Sequence, residues 1–236
     1  MSTAADVSQD ILVFSSAERA ANSQRFFKTG PGEYGEGDVF IGVTVPHQRK
    51  VAKNYYDLSL SEIAKLLHSK IHEDRLTAVI ILVEQFKRAN PVVQKKIFDF
   101  YLGNTEYINN WDIVDLSAPN IVGGWLLNKN KDVLVKLAKS KSIWERRIAM
   151  LATFAFIYDG EDEYTYKIAE ILLQDEHDLI QKAVGWMLRE AGKRVSQQEE
   201  ERFLAKHYKT MSRTMLRYAI ERFEEPKRKA YLAGSI

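Results

Sequence analysis

From Pro46 onward, apolar positions recur at spacings of three and four, the pattern of helices that each bury one face. The clearest stripe is Leu76, Val79, Ile80, Val83 and Phe86, which predicts a helix over 72–89. Pro91 then opens a second helix, because proline in the first turn gives up no intrahelical hydrogen bond. The same periodicity predicts helices at 109–118, 119–128, 130–140, 142–158, 161–174, 176–194, 197–209 and 212–223. Their short connections suit antiparallel neighbours. Residues 39–45 alternate briefly, but Gly42 and Pro46 mark them as loop rather than strand. No apolar run approaches the roughly 20 residues of a membrane span; the densest, 148–158, is far too short.

A faint repeat runs through the helices. Ala78, Ala149 and Ala183 occupy equivalent places in related hexapeptides and lie 71 and 34 residues apart, consistent with a unit of about 35 residues made of two helices. The expected fold is therefore all-α, a HEAT-like helical-repeat solenoid whose stacked pairs present a concave face, with a non-repetitive bundle as the alternative. We expect one domain over 1–236: an N-terminal helix and glycine-rich loop in 1–45, then stacked pairs in 46–236. That loop, Gly30-Pro-Gly32-Glu-Tyr-Gly35, has the spacing of a dinucleotide fingerprint. A helix rather than a strand precedes it, and Glu33, Glu36 and Asp38 would repel a pyrophosphate, so it reads as a connecting turn.

Composition narrows the classes of function. The 236 residues include no cysteine, which excludes disulfides and thiolate catalysis and fits a reducing, cytoplasmic setting. Residues 1–10 carry acids and no basic stretch before an apolar run, so no secretory signal is expected. The net charge of +2 is unevenly spread: 179–236 holds 13 Lys and Arg against 7 Asp and Glu, a balance of +6 that leaves −4 elsewhere. An anionic partner docking near the C-terminal end would account for this, as would an ordinary solvated face.

Candidate chemistry gathers at two places. On the helix over 179–193, Ile180, Val184, Met187, Leu188 and Ala191 form the apolar face. Trp186 falls opposite, in one stripe with Lys182, Arg189 and Lys193. An outward indole among cations suits a flat, anionic partner such as nucleic acid; the plainer alternative is an indole capping a neighbouring helix. Gln181 and Arg146 are expected to join Lys182, Arg189 and Lys193 in contacting DNA. In Asn109-Asn-Trp-Asp-Ile-Val-Asp115, Trp111 and Asp115 share a helical face. Arg147 lies in an apolar neighbourhood near Met150, Leu151 and Phe154 and needs an anionic partner, for which Asp115 is suited. That pair is either a structural tie between stacked helices or a carboxylate held ionised for chemistry. The five histidines are scattered, no metal site is expected, and no serine sits in a nucleophile elbow.

Three stretches carry a family resemblance. Trp111-Asp-Ile-Val-Asp115, Trp144-Glu-Arg-Arg147 and Ile180-Gln-Lys-Ala-Val-Gly-Trp186-Met-Leu-Arg-Glu190 resemble the AlkD-like alkylpurine DNA glycosylases, and the likeness runs from about Phe26 through the C-terminal helices. The resemblance implies a solenoid that grips duplex DNA in its concave face and excises N3- and N7-alkylated purines, with Trp111, Trp186, Asp115 and Arg147 as its site. It implies a monomer without cofactor or membrane partner, acting in base excision repair on double-stranded DNA. An alkylated purine of this kind is already cationic and leaves without a general acid. One carboxylate then suffices to stabilise the oxocarbenium-like sugar and place a water. The resemblance also implies that the lesion stays stacked rather than flipping into a pocket. Two alternatives remain on sequence grounds: a catalytically silent relative that binds damaged or branched DNA, and a helical scaffold for a protein partner.

Overall fold

Short polar side chains mark where the helices begin. In the computed structural model, which describes residues 2–236, Thr3 closes a capping box with Asp6 ahead of α1 (Ala4–Leu12), and Ser16 caps α2 (Ala17–Phe26). Then come α3 (Val45–Ala52), α4 (Leu60–Leu67) capped by Ser59, and α5 (His72–Arg88). Asn90 caps α6 (Pro91–Leu102) with proline in its first turn, and Asn110 caps α7 (Trp111–Ala118). Pro119–Gly123 forms a wide π-helical turn, followed by the single turn α8 (Gly124–Leu126) and by α9 (Asp132–Ala138). Ser142 caps α10 (Ile143–Tyr158), and α11 (Glu163–Ile171) follows. His177 caps α12 (Asp178–Arg194), Ser196 caps α13 (Gln197–His207) and Ser212 caps α14 (Arg213–Ala219), ahead of α15 (Glu225–Ala233). No strand forms among the described residues, and no helix among them is long and apolar enough to cross a membrane.

The helices expected from periodicity are present, with two informative differences. The N-terminal region holds two helices rather than one. The helix expected over 119–128 breaks up, because Pro119 donates no hydrogen bond and Gly123 is pressed against α10; a Cβ there would lie 2.3 Å from the Ala152 carbonyl oxygen. Residues 39–44 form no strand, as expected, and pair only once, Val39 with Ile71. Gly42 explains why this segment lies so close to the start of α2: at φ +76° it brings its backbone where a Cβ would be 2.2 Å from the Ser16 carbonyl oxygen.

Internal contacts group into two compact units, one ending at Ile121 and the other beginning at Val122. In the first, α5 is buried well beyond its predicted stripe: Ala78, Ile81 and Leu82 are as inaccessible as Val79, since α1, α3, α4, α6 and α7 surround it. In the second, α10 and α12 pack together, flanked by α9, α11, α13 and α14. Ala78, Ala149 and Ala183 are fully buried, as equivalent sites should be. Val114 of α7, also fully buried, supplies the member missing from the sequence repeat, about midway between Ala78 and Ala149.

Three helices share one manner of starting. Ser69 Oγ accepts from the Ile71 N–H at 3.1 Å, and the Arg75 guanidinium returns to the Ser69 carbonyl at 2.9 Å. Ahead of α10, Ser140 Oγ accepts from the Ser142 N–H at 3.0 Å and Arg146 reaches the Ser140 carbonyl at 3.0 Å. Ahead of α12, the Asp175 carboxylate accepts from the His177 N–H at 3.0 Å and Gln181 donates to the Asp175 carbonyl at 3.0 Å. Residues 69, 140 and 175 stand 71 and 35 apart, within one residue of the spacing of the alanines. Each lock satisfies backbone groups that the turn would otherwise strand.

One buried acid links packing to pH. Glu200 of α13 rests its carboxyl against Gly192 of α12, where a Cβ would lie 1.7 Å from Oε2, and its Oε1 finds no hydrogen-bond partner. Burial, helped by the neighbouring charge of Glu201, pushes its pKa from 4.5 up to about 8. The folded protein therefore holds this proton more tightly than the unfolded chain. Stability is full below pH 4.5 and falls as pH rises to about 8, by up to about 1.4 kcal/mol per pH unit. In urea titrations across this range, Glu200→Gln is expected to flatten that fall; an unchanged slope would show that Glu200 ionises freely in the folded state.

Candidate nucleic-acid interface

The start of α7 is set by a buried ionic cluster. Asp38, from the end of the glycine-rich loop, is 6% exposed and receives Arg75 Nη2 at 2.6 Å on one oxygen. Its other oxygen receives His72 Nδ1 at 3.3 Å and Asn110 Nδ2 at 3.1 Å. His72 Nε2 meets Asp112 Oδ2 at 2.8 Å. Both ring nitrogens thus face carboxylates, which when ionised can only accept, so the arrangement favours the doubly protonated ring. Burial works to lower the His72 pKa, but the hydrogen bonds to Asp112 and Asp38 outweigh it and raise the value above 6.5. For Asp38, burial works upward and is outweighed by His72 and Arg75, which hold the carboxyl below its ordinary 3.8. Asn110, wholly buried, also accepts from the Trp111 N–H at 2.8 Å. The cluster therefore fixes the first turn of α7 and the indole that it carries.

An aromatic column rises from the same cluster. His72 stacks on Phe40 at 4.5 Å, Phe40 on Phe27 at 4.9 Å, and Phe27 on Trp111 at 5.2 Å with planes 15° apart. Phe26 meets the indole edge-on at 6.0 Å and is itself 66% exposed. Trp111 is half-buried, and Asp115, one helical turn further along α7, is also half-buried. The indole and carboxylate expected to share a face do so, on a rigid support.

The second group lies on α10 and α12. Arg147 is 5% exposed, and its guanidinium donates to the Leu179 carbonyl at 2.5 Å. Trp186 is half-buried rather than fully outward, because Phe154 leans on it at 5.9 Å. Phe154 is in turn covered by the Arg194 guanidinium at 5.8 Å, which also sits 4.3 Å over the Tyr158 ring.

The five expected DNA contacts divide. Lys193 is exposed, and Lys182 is partly exposed with an ion pair to Asp178 at 2.8 Å. Arg189 is held by Glu190 at 3.3 Å and by Glu221, and its side chain is only 16% exposed. Arg146 pairs with Asp175 at 2.6 Å besides closing the turn before α10, and Gln181 closes the turn before α12. For Arg189, Arg146 and Gln181, polarity on the outer stripe serves to satisfy internal acceptors.

Sequence reasoning missed Asp38, His72, Asp112 and the pair Phe26–Phe27. Asp38 looked like a charge that would repel phosphate, and His72 like one of several scattered histidines. The adjacent phenylalanines at the end of α2, beside a loop, were the one available signal.

His72 gives a direct test of the cluster. Its raised pKa means that its contribution to stability is complete below pH 6.5 and is lost as pH rises through the folded value. An NMR titration of the imidazole is expected to place its midpoint above 6.5, and Asp112→Asn should move that midpoint down. A ring already neutral at pH 6.5 would refute the ionic description of this cluster.

Comparison with known proteins agrees with this architecture. A solved structure described as a predicted DNA alkylation repair enzyme from Enterococcus faecalis superposes with a TM-score of 0.71 at 18% identity, over 89% of this chain and 97% of that one. The all-α helical-repeat solenoid expected from the sequence is thus the fold found. No curated protein matches. The family model described as DNA alkylation repair enzyme matches residues 7–223, and the chain belongs to that family.

Proposed function

We propose that this protein is a DNA glycosylase that hydrolyses the N-glycosidic bond of N7- and N3-alkylated purines in duplex DNA. Membership in a DNA alkylation repair family supports a repair role. The observation that carries the finer reading is the start of α7, where an indole stacked on Phe27 stands one turn from a half-buried carboxylate, with the helix fixed by a buried ionic cluster. A scaffold or a silent binder has little use for so costly a mounting of Trp111 and Asp115.

The chemistry needs few groups. An alkylated purine carries a positive charge, so when the C1′–N bond breaks the electron pair neutralises the leaving base and no acid is required. The sugar becomes oxocarbenium-like. Asp115 stabilises that charge and accepts the proton of the water that attacks C1′, leaving a hydroxyl at the abasic sugar. The face of Trp111 attracts the cationic nucleotide by about 0.5–2 kcal/mol, a role that the resemblance assigns to Trp186 as well. Arg147 supplies the fixed buried cation that the resemblance assigns to the site. Lys182 and Lys193 neutralise backbone phosphates, which positions the duplex without reading its sequence. The reaction is hydrolytic, and the abasic strand is left intact.

The test is release of free base from a duplex with a single 7-methylguanine. The parent is expected to release it, while Asp115→Asn slows release by at least about 100-fold, the scale of losing one preorganised electrostatic group, and retains duplex binding. Equal release by the variant would remove Asp115 from the chemistry. Binding without release by the parent would make the protein a silent member of its family.

A further inference from the structure

A hollow near the start of α12 includes Lys182, which the reading above sets against backbone phosphates, and further polar groups to which that reading gives no role. It measures about 490 Å³ and lies against α12, α14 and α15, with Lys182, Thr214, Arg217, Tyr218, Glu221 and Arg228 on its walls. We infer that this hollow binds a phosphodiester of the DNA backbone, adjacent to the nucleotide that faces Trp186; the inference rests on the proposed duplex-binding function.

The hollow exists because of one glycine. At Gly185 a Cβ would lie 2.4 Å from the Met215 carbonyl oxygen and 2.5 Å from the Tyr218 Cβ, so α14 can press directly on α12 only where a side chain is missing. That close approach sets Arg217 and Tyr218 of α14 alongside Lys182, which stands one helical turn before Trp186. Any larger residue at 185 would push the two walls apart.

The charge of the walls is unbalanced toward an anion. Three cations and two hydroxyls line the hollow, against one acid. That acid, Glu221, is already engaged by Arg189. Lys182 and Arg228 are steadied by Asp178 and Glu225 on their own helices, at 2.8 Å in each case, contacts that leave further ammonium and guanidinium hydrogens to donate. Arg217 is exposed and has no ion pair or side-chain hydrogen bond among the described residues. A guanidinium offers a planar fork of donors that matches two phosphate oxygens at once, and the hydroxyls of Thr214 and Tyr218 can serve the remaining oxygens. The volume exceeds that of a lone phosphate group and admits a phosphodiester with its adjoining sugar.

Distance ties the hollow to the candidate site. Lys182 and Trp186 are separated by four residues, about 6 Å along the helix axis. A DNA strand advances about 3.4 Å per nucleotide, so a phosphate held here lies within about two nucleotides of the one against Trp186. Gripping the backbone at that range positions the damaged nucleotide without contacting its base, so it suits an enzyme that must accept different alkylated purines.

The experiment measures affinity for an undamaged duplex by fluorescence anisotropy while salt is raised from about 50 to about 200 mM. Parent, Arg217→Gln, Lys182→Gln with Arg217→Gln, and the charge-matched control Lys136→Gln on α9 are compared. The slope of log affinity against log salt is expected to shrink by about 1 for Arg217→Gln and by about 2 for the double variant, with the control keeping the parent slope. Equal slopes for Arg217→Gln and the control, in a protein that still binds duplex, would overturn the inference and leave the proposed function standing. So would inorganic phosphate raising the thermal midpoint of the parent but not of Arg217→Gln while the slopes stay equal, since the hollow would then serve a free anion. A parent that binds no duplex would overturn the proposed function and this inference together.

Discussion

Taking the carboxylate of Asp38 out of water is the constraint on which the first half of the molecule depends. A buried charge that loses its partner costs several kcal/mol, so every group that coordinates it is obliged to stay. Arg75, His72 and Asn110 come from two helices and Asp38 from the loop before them, and together they leave neither oxygen unmet. The neighbouring Glu73 solves the same problem with the backbone: its buried carboxylate accepts the N–H groups of Ile41, Gly42 and Val43. Asp38 and Glu73 therefore clamp segment 38–43 to the start of α5. Phe40 and Phe27 follow from that clamp, and the indole of Trp111 rests on them.

The division of labour among cations follows from which acceptors each can reach. Arg75 and Arg146 are each engaged by a carbonyl of their own turn and by a carboxylate outside it, Asp38 and Asp175 respectively, and Arg147 donates to the Leu179 carbonyl. Those that remain for an external anion are lysines and arginines on outer turns, where hydration and long stems keep them adaptable. Part of the basic excess in the C-terminal quarter is thus engaged by acids of the protein itself. Arg189 belongs to that excess, yet it is spent on Glu190 and Glu221.

The helices were legible because burial on one side writes a period of 3.6 into any sequence, and the 71- and 34-residue spacings of Ala78, Ala149 and Ala183 carried the repeat. Trp111 and Asp115 were legible for the same reason, being four apart on one helix. What stayed hidden depends on contacts without local spacing. Asp38 meets residues more than thirty positions away, and nothing in the loop distinguishes it from Glu33 and Glu36, which bond backbone N–H groups of the loop itself. Arg146 and Gln181 each fold back six residues to close a turn, which a helical wheel does not distinguish from pointing to solvent. Trp186 was placed on the correct side of α12, but a wheel cannot register a ring leaning from α10.

The lock that begins α5, α10 and α12 draws all of its partners from seven consecutive residues. The turn itself is closed by these local bonds, although Arg146 of the second lock also reaches Asp175 of the third. A segment bearing it can be duplicated, lost or exchanged as a unit, with the new junction already closed at one end. The chemistry of the lock can drift as well, since serine with arginine and aspartate with glutamine reach the same geometry here. Turns closed in this way can be repeated along a chain without being redesigned each time.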